Sequence, residues 1–561
     1  MLDAIVVGSG ATGGWAAKTL TEAGHAVVML ESGGPIDTAR HYRHHTKPYD
    51  LRYGNKFDNE WLNRERQPIQ SKVYACDEYG AHFFIDDVDN PYSTPEDRPY
   101  VWIRGALLGG RSNIWGRQSL RMSDYEFKAA QQDGYGEAWP ISYEDLATFY
   151  DEVETFVGIS GSREDLPQVP DGLYLPPMPM TNGELALKKR VEARWPERRV
   201  MISRSSVITV EHRGRSACHY CGNCARGCRT HSFFSSVGST IPAALATKRL
   251  EIVTDAHVTA VNYDADRGRA SGVTYVDKRT GQQVLLEARA VVLAASTIAS
   301  TRILLNSKSA AFPSGLGNSS GVLGKYLHGH VHSIWVTGVA PGIPKTFRIP
   351  EGDRPCQIYI PRFQNLGKKD RPYLRGFGIE GAVRRKMLPS NIGLIPGFGR
   401  QFKQAVRNTD APPIFFLTAF GEMLARPDNM VSLREDLLDR WGVPVPHISC
   451  SYGPNEEAMA ADILDSLKEI ATEAGFQILT ERSKPGTPGL CVHEVGTARM
   501  GSRRDASVLD AWNRVWDANN VYVVDGACYV SSGVQNPTLT MMAISARASR
   551  DLARRLTVGE I

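Results

Sequence analysis

At 561 residues the chain is too long for one apolar core and calls for two closely packed units. Apolar residues make up 42%, charged residues 22% and the formal net charge is +4, a balance that gives no electrostatic reason to bind nucleic acid or an anionic membrane. No run of eighteen apolar residues occurs, so no membrane-spanning helix is expected. No basic segment, long apolar stretch or cleavage site follows Met1, and the chain is expected in the cytoplasm, or in the periplasm if exported with a partner subunit.

The chain opens DAIVVGSGATGGWAAKTLTEAGHAVVMLE. Ala4 to Val7 predicts a buried parallel strand, Trp15 to Ala23 the helix after it, and His25 to Leu30 a second strand. Gly8, Gly10 and Gly13 form G-x-G-x-x-G between strand and helix. The first allows the tight turn, the second lets a pyrophosphate approach the backbone, and the third permits close helix–strand packing. Glu31, 21 residues after Gly10, is placed to accept hydrogen bonds from ribose hydroxyls. With strands, glycines and acid in register, the segment predicts a dinucleotide site at the start of a helix.

Distant segments complete the binding unit, which favours the long cofactor FAD over NAD. RGALLGGRSNIWG (Arg104 to Gly116) is a second glycine-rich loop, with Gly109, Gly110 and Asn113 as candidate cofactor contacts. Residues 250–302 read as strands running into a helix and contain Val258, and VYVVDGACYV contributes another strand and Asp525. The expected cofactor domain therefore comprises residues 1–50, 100–120, 195–330 and 490–561. Excursions at 51–99 and 121–194 interrupt it, and a substrate domain fills 331–489. The excursions are rich in Tyr, Asp, Pro and Arg and read as coverings of the site. Within 331–489, HSIWVTGVA, CQIYIPRF and ISCSYG are strand-like, and NEEAMAADILDSLKEIATEAG is an amphipathic core-facing helix. LHGHVH (Leu327 to His332) sets three histidines at alternate positions. A metal site is conceivable there, and histidines at a strand end near the cofactor are the simpler reading.

Four of the nine cysteines, Cys218, Cys221, Cys224 and Cys228, fall in CHYCGNCARGC with the spacing C-x₂-C-x₂-C-x₃-C. Structural zinc usually takes two close pairs separated by a dozen or more residues. The spacing is instead that of bacterial ferredoxins, although Arg229 stands where those have Pro. A 4Fe–4S cluster on all four is favoured, a 3Fe–4S cluster on three is the variant, and zinc, disulfides or free thiols remain open. Arg213, Arg215, Arg226 and Arg229 flank the loop and are expected to offset the charge of a thiolate-bound cluster.

Near the C-terminus stand HEVGTARMG (His493 to Gly501) and DANNVYVVDGACYVSSGVQNPTLTMMAISA. Together with the N-terminal glycine motif, this resembles the glucose–methanol–choline (GMC) family of FAD-dependent alcohol oxidoreductases over nearly the whole chain. The resemblance implies an α/β fold, a Rossmann-like FAD-binding domain with an α+β substrate domain on an antiparallel sheet. It also implies a catalytic pair at His493 and Asn536. An imidazole titrating near neutrality suits removal of an alcohol proton, and an uncharged Asn can hold the substrate oxygen without competing for that proton. A satisfied buried histidine and a turn-forming Asn before Pro537 are the structural alternatives. Relatives that bind flavin covalently carry a histidine in the second glycine loop; Ile114 stands there here, so FAD is expected to be non-covalent. Iron–sulfur-containing glucose and glucoside 3-dehydrogenases carry cysteines in this part of the chain. The expected activity is oxidation of a sugar or glycoside hydroxyl, favouring glucoside 3-dehydrogenation. The acceptor would be a cytochrome c-like protein, a quinone or a dye, and a small escort subunit is a further expectation. An oxygen-using pyranose or glycoside oxidase with a structural cysteine loop, a choline or aliphatic alcohol dehydrogenase, and a non-catalytic flavin-binding subunit are the rivals.

Overall fold

The computed structural model describes residues 2–343, 354–384, 396–407 and 412–561, so parts of the expected 331–489 unit lie outside the described residues. Its first sheet is built from segments far apart in sequence. In spatial order it runs β17 (Arg514–Val515), β18 (Ala518–Val523), β8 (Ala290–Leu293), β1 (Ala4–Val7), β2 (Val27–Leu30) and β4 (Leu250–Val253). All neighbours are parallel except the β17–β18 edge pair. Strands β1, β2 and β8 are buried at every position, because both faces of the sheet are covered. Ala4 and Val6 point to one core, shared with Leu20 of the helix Ala11–Glu22 and Leu552 of the helix Thr538–Thr557. Ile5 and Val7 point to the other, shared with the helix Thr297–Asn306 and the meander β5 (Ala256–Asp264), β6 (Arg269–Asp277) and β7 (Gln283–Glu287).

The first helix begins at Ala11, four residues before its sequence-predicted start, and β2 begins at Val27 rather than His25. Two helical glycines had hidden that first turn, and packing explains them. A Cβ on Gly13 would lie 1.9 Å from the Gly8 carbonyl oxygen, and one on Gly14 2.3 Å from Thr240 Oγ1. Close approach outweighs their poor helix propensity.

The second sheet is antiparallel, in the order β16 (Gln477–Arg482), β10 (Trp335–Val339), β13 (Ile414–Glu422), β12 (Phe377–Arg384), β11 (Ile358–Ile360) and β3 (Met201–Ile202), with β9 (His330–Val331) also on β13. The amphipathic helix Pro454–Glu473 lays Met459, Ile463, Leu467 and Ile470 on Phe415, Leu417 and Ile379 of this sheet, as its pattern predicts. Alternation then sends Tyr359, Glu380, Thr418 and Trp335, which pair in one row across the strands, to the opposite face. A hairpin of β14 (Met430–Leu438) and β15 (Pro444–Ser449) lies apart. Residues 121–194 divide between the cores: Leu146, Tyr150 and Val153 join the first, Leu187 and Val191 the second. Among the described residues no helix is long and apolar enough to cross a membrane.

The glycine contacts yield a paired prediction for the cofactor-free protein. Gly13→Ala should destabilise it by about 1–3 kcal/mol, since backbone must give way. Gly10→Ala, with nothing within 4 Å of its new methyl, should stay within about 0.5 kcal/mol of wild type. Urea unfolding of both variants checks this, and equal midpoints would contradict the packing argument.

Candidate active site

The carboxyl ends of four adjacent strands converge on one crevice: Gly8 after β1, Glu31 after β2, Ala294 to Ser296 after β8, and Asp525 after β18. Gly8 has φ +98°, and a Cβ there would meet the Ala294 carbonyl oxygen at 2.3 Å. The helix Ala11–Glu22 has no side-chain cap and no acid in its first turn, which leaves its leading N–H groups for an anion. Gly10 faces open space, and Gly110, at φ +50°, has only Gly10 near its missing side chain, at 3.9 Å. The two loops are tied together: Gly109 N–H donates to Ser9 Oγ at 2.8 Å, and Ser236 Oγ donates to the Ser9 carbonyl at 2.7 Å. Side chains at Gly10 and Gly110 would fill this cradle, so the residues present fit a pyrophosphate-bridged cofactor.

Other candidate contacts are occupied in shaping the crevice. Glu31 accepts from Ser9 N–H at 3.0 Å, from Ser9 Oγ–H, and from Gly33 N–H at 2.7 Å. Beyond it opens a cavity of about 290 Å³ lined by Ser32, Gly33, Gly105, Asp255, Lys278 and Trp441. Asn113 accepts from Tyr42 OH at 2.7 Å and donates to the carbonyls of Leu108 and Gly110 at 3.0 Å, which fixes the second glycine loop. Asp525 accepts from Ser300 Oγ and from Ala527 N–H; burial pushes its pKa up to about 6. Val258 lies on β5 with its side chain in the first core.

His493 is half-buried and lies against β9 and β13. Its Nδ1 is 3.2 Å from His330 Nδ1, the two rings meet edge-on at 5.0 Å, and Phe420 lies 5.2 Å from the His493 ring. Phe420 also stacks on His332, at 4.1 Å and 8°. Burial, then the charges that His330, His332 and Arg111 would bring, holds the His493 pKa well below the ordinary histidine value. Burial likewise takes His330 to about 3 and His328 and His332 to about 4. Arg111 is paired with the buried Glu494 at 2.6 Å, which anchors the glycine loop beside the histidine. All these imidazoles are neutral at pH 7, and His493 is free to take up a proton.

Asn536 is half-buried at the end of the Ser531 to Asn536 turn. The turn reaches the same histidines: Ser532 Oγ donates to the Gly329 carbonyl at 2.8 Å, and the Gly533 backbone acts on His330. Beside Asn536 stands Glu380 of β12. Burial pushes its pKa up to about 7, against the charge-favouring hydrogen bonds of Gln118 and Asn536. Gln118 Nε2 donates to Glu380 Oε2 at 3.2 Å, and Oε1 is buried without a partner. The structure thus sets His493 against Phe420 and Asn536 against Glu380, two residues on the same face of the antiparallel sheet, and His330 links the two segments. Sequence reasoning missed Glu380, Gln118 and the His330 contact. A lone acid in the strand GFGIEGAV was the available signal for Glu380.

The cysteine loop packs against the second glycine loop. A Cβ on Gly227 would strike Tyr42, whose hydroxyl holds Asn113. Trp115, from the end of the glycine loop, shares an apolar cluster with Cys218, Cys224 and Cys228. All nine cysteines are free, so the disulfide reading finds no support. Tyr220, Gly222 and Gly227 take positive φ (+55°, +71° and +83°), bending the backbone so that N–H groups turn inward. Burial raises the pKa of Cys218 and Cys221, and against that rise Tyr220 N–H donates to Cys218 Sγ at 3.4 Å and the Asn223 backbone bonds Cys221. The flanking arginines are held by groups other than the sulfurs. Arg215 donates to the Val157 carbonyl, Arg229 to those of Tyr42 and Ala39, Arg226 covers the Tyr79 ring and Arg213 that of Phe156. These guanidinium groups keep their positive charge beside the loop, while backbone N–H groups make the direct contacts with sulfur.

Comparison with known proteins agrees with this geometry. Family models described as GMC oxidoreductase match residues 2–332 and 425–545. The chain is 29% identical to a 2-methyl-1,2-propanediol dehydrogenase of Mycolicibacterium austroafricanum, over 99% of this chain and 96% of that protein. It is 26% identical to the fructose dehydrogenase large subunit of Gluconobacter japonicus, over 99% and 98% of the two chains. Its fold matches a formate oxidase of Aspergillus oryzae RIB40 with a TM-score of 0.61 at 13% identity, covering 99% and 98% of the chains. The two sheets, the glycine crevice between their segments and these matches together make the chain a member of the GMC oxidoreductase family, the FAD-dependent oxidoreductases of alcohol groups.

Proposed function

We propose that this enzyme dehydrogenates a hydroxyl of a sugar or glycoside, with glucoside 3-oxidation the favoured regiochemistry. FAD would be held without a covalent bond, and the electrons would leave to a cytochrome c-like protein, a quinone or a dye. Relatives of near-equal length that act on a diol and on fructose support the substrate class. The observation that supports the reading is the neutral His493 imidazole, which lies against Phe420 on the sheet face that also carries Glu380, the neighbour of Asn536. The diol-oxidising relative favours a second reading, a small aliphatic alcohol as substrate.

Gly8, Gly10, Gly13, Gly109, Gly110 and Glu31 would hold the FAD, with Asp525 at the end of β18 and, since its side chain is in the core, only the backbone of Val258 as further contacts. Bound flavin supplies a hydride acceptor. His493 takes the hydroxyl proton, and its tautomer follows from its neighbour. His330 Nε2 is buried without a hydrogen bond, and the Gly533 backbone favours a proton on that ring. A proton on His330 Nε2 leaves its Nδ1 to accept from His493 Nδ1–H, so that His493 Nε2 keeps the free lone pair. Asn536 and the Glu380 carboxyl then orient the hydroxyl. Cys218, Cys221, Cys224 and Cys228 would hold a 4Fe–4S or 3Fe–4S cluster, which accepts electrons singly. That suits a dehydrogenase better than an oxidase.

Replacing His493 by Ala should slow flavin reduction by about 10²–10⁴-fold while leaving flavin content unchanged. His330→Leu should lower the same rate, and His330→Asn, which can still accept from Nδ1–H, should restore part of it. Unchanged turnover in His493→Ala would refute the base assignment. Iron and acid-labile sulfide should accompany FAD in the purified protein, and Cys221→Ser should remove both while sparing the flavin. Stoichiometric zinc in their place, or peroxide outpacing dye reduction during turnover, would overturn the cluster reading and the dehydrogenase reading respectively.

A further inference from the structure

A second group of potential ligands lies outside the crevice. His44, His45 and His219 each offer a ring nitrogen, and these nitrogens lie within 4.8 Å of one another, the one such group of His, Cys, Asp or Glu among the described residues. His44 is 2% exposed, and its Nδ1 is buried with no hydrogen-bond partner. His45 and His219 are exposed, so their rings can move without disturbing a core. The ring centroids are 4.0 Å apart for His44 and His45, 5.5 Å for His45 and His219, and 6.0 Å for His44 and His219.

The backbone holds this arrangement in place. His44 and His45 sit on the turn closed by Thr46 N–H donating to the Arg43 carbonyl at 3.0 Å. Arg43 N–H donates to the Arg226 carbonyl at 2.8 Å, and Asn223 Nδ2 donates to the His44 carbonyl at 2.8 Å. The turn is therefore bonded at two points to the cysteine loop that carries His219. The three rings make no hydrogen bond to one another, and the buried His44 nitrogen without a partner is costly. A metal ion relieves both problems. Three nitrogens at the zinc–imidazole distance of ~2.05 Å in a tetrahedral site stand about 3.3 Å apart, so closure needs a shift of roughly 1.5 Å or less, within reach of two exposed side chains. Arg229 opposes a dication electrostatically, and its guanidinium is already bonded to the carbonyls of Tyr42 and Ala39.

We propose that His44, His45 and His219 bind one divalent transition-metal ion of the zinc class, with a water in the remaining position. Three imidazoles and an open position suit zinc, nickel or copper, and exclude calcium or magnesium, which require oxygen ligands. The ion would clamp the cysteine loop to the turn at residues 43–46. This site is separate from the cysteine sulfurs.

The test is equilibrium dialysis of the purified holoenzyme against Zn²⁺ after removal of loosely bound metal, read by elemental analysis alongside iron content. One equivalent of zinc should bind in wild type. His219→Ala and His45→Ala should each weaken it at least ~100-fold, at the upper end of what outer-shell losses cost. Both residues are exposed, and an unchanged iron and flavin content in these variants verifies that the fold survives. Cys221→Ser should retain the zinc. Loss of zinc in Cys221→Ser with retention in both histidine variants would assign the ion to the sulfurs and overturn the proposal, as would no zinc in wild type.

Discussion

The structure depends on keeping charge off the imidazole of His493. His330, His332 and Arg111 act on it, and burial is the larger cause. A second positive charge there would be repelled by Arg111 and unsolvated, so each ring stays neutral through the physiological range. The cost appears in acid. The unfolded chain takes up protons near the ordinary histidine pKa, while His328 and His330 in the folded chain resist until about 4 and about 3. Stability contributed by these rings is therefore full above that ordinary value and is lost as pH falls below it, by about 1.4 kcal/mol per pH unit for each ring kept unprotonated.

The large elements meet beside this imidazole. The parallel sheet collects four loop ends, the second glycine loop closes over them through Ser9 and Asn113, and Arg111 of that loop is pinned to Glu494 beside His493. The antiparallel sheet supplies the opposite wall. Its helix-covered face consumes the large aliphatic side chains, which leaves Glu380 and Phe420 for the opposite face. The cysteine loop sits one side chain away from the glycine loop, across Tyr42, so the two ends of the proposed electron route share a single buried aromatic ring.

Much of the crevice was legible because its residues are local: three glycines, one acid and two short strands within 31 positions dictate a strand–turn–helix unit. The start of the first helix was misplaced because glycine propensity was weighed without the close packing that only the fold reveals. His493 and Asn536 were readable through resemblance, and their convergence through His330 and Gly533 was not, since no spacing links β9 to the C-terminal turn. Glu380 escaped for a related reason. A single acid in a strand announces a function only once the other face of that strand is known to be buried. The partners of the arginines around the cysteines were not legible, because proximity in sequence says nothing about which carbonyls or rings a long side chain will reach.

The most direct test of the account is the rate of anaerobic flavin reduction in single turnovers between pH 5 and 8, with the best substrate from a panel of sugars and diols. A base with a depressed pKa stays unprotonated to lower pH, so the rate should hold level through 6.5 and decline only in more acidic solution. A decline centred at or above 6.5 would show an ordinary, solvated imidazole and would contradict the account.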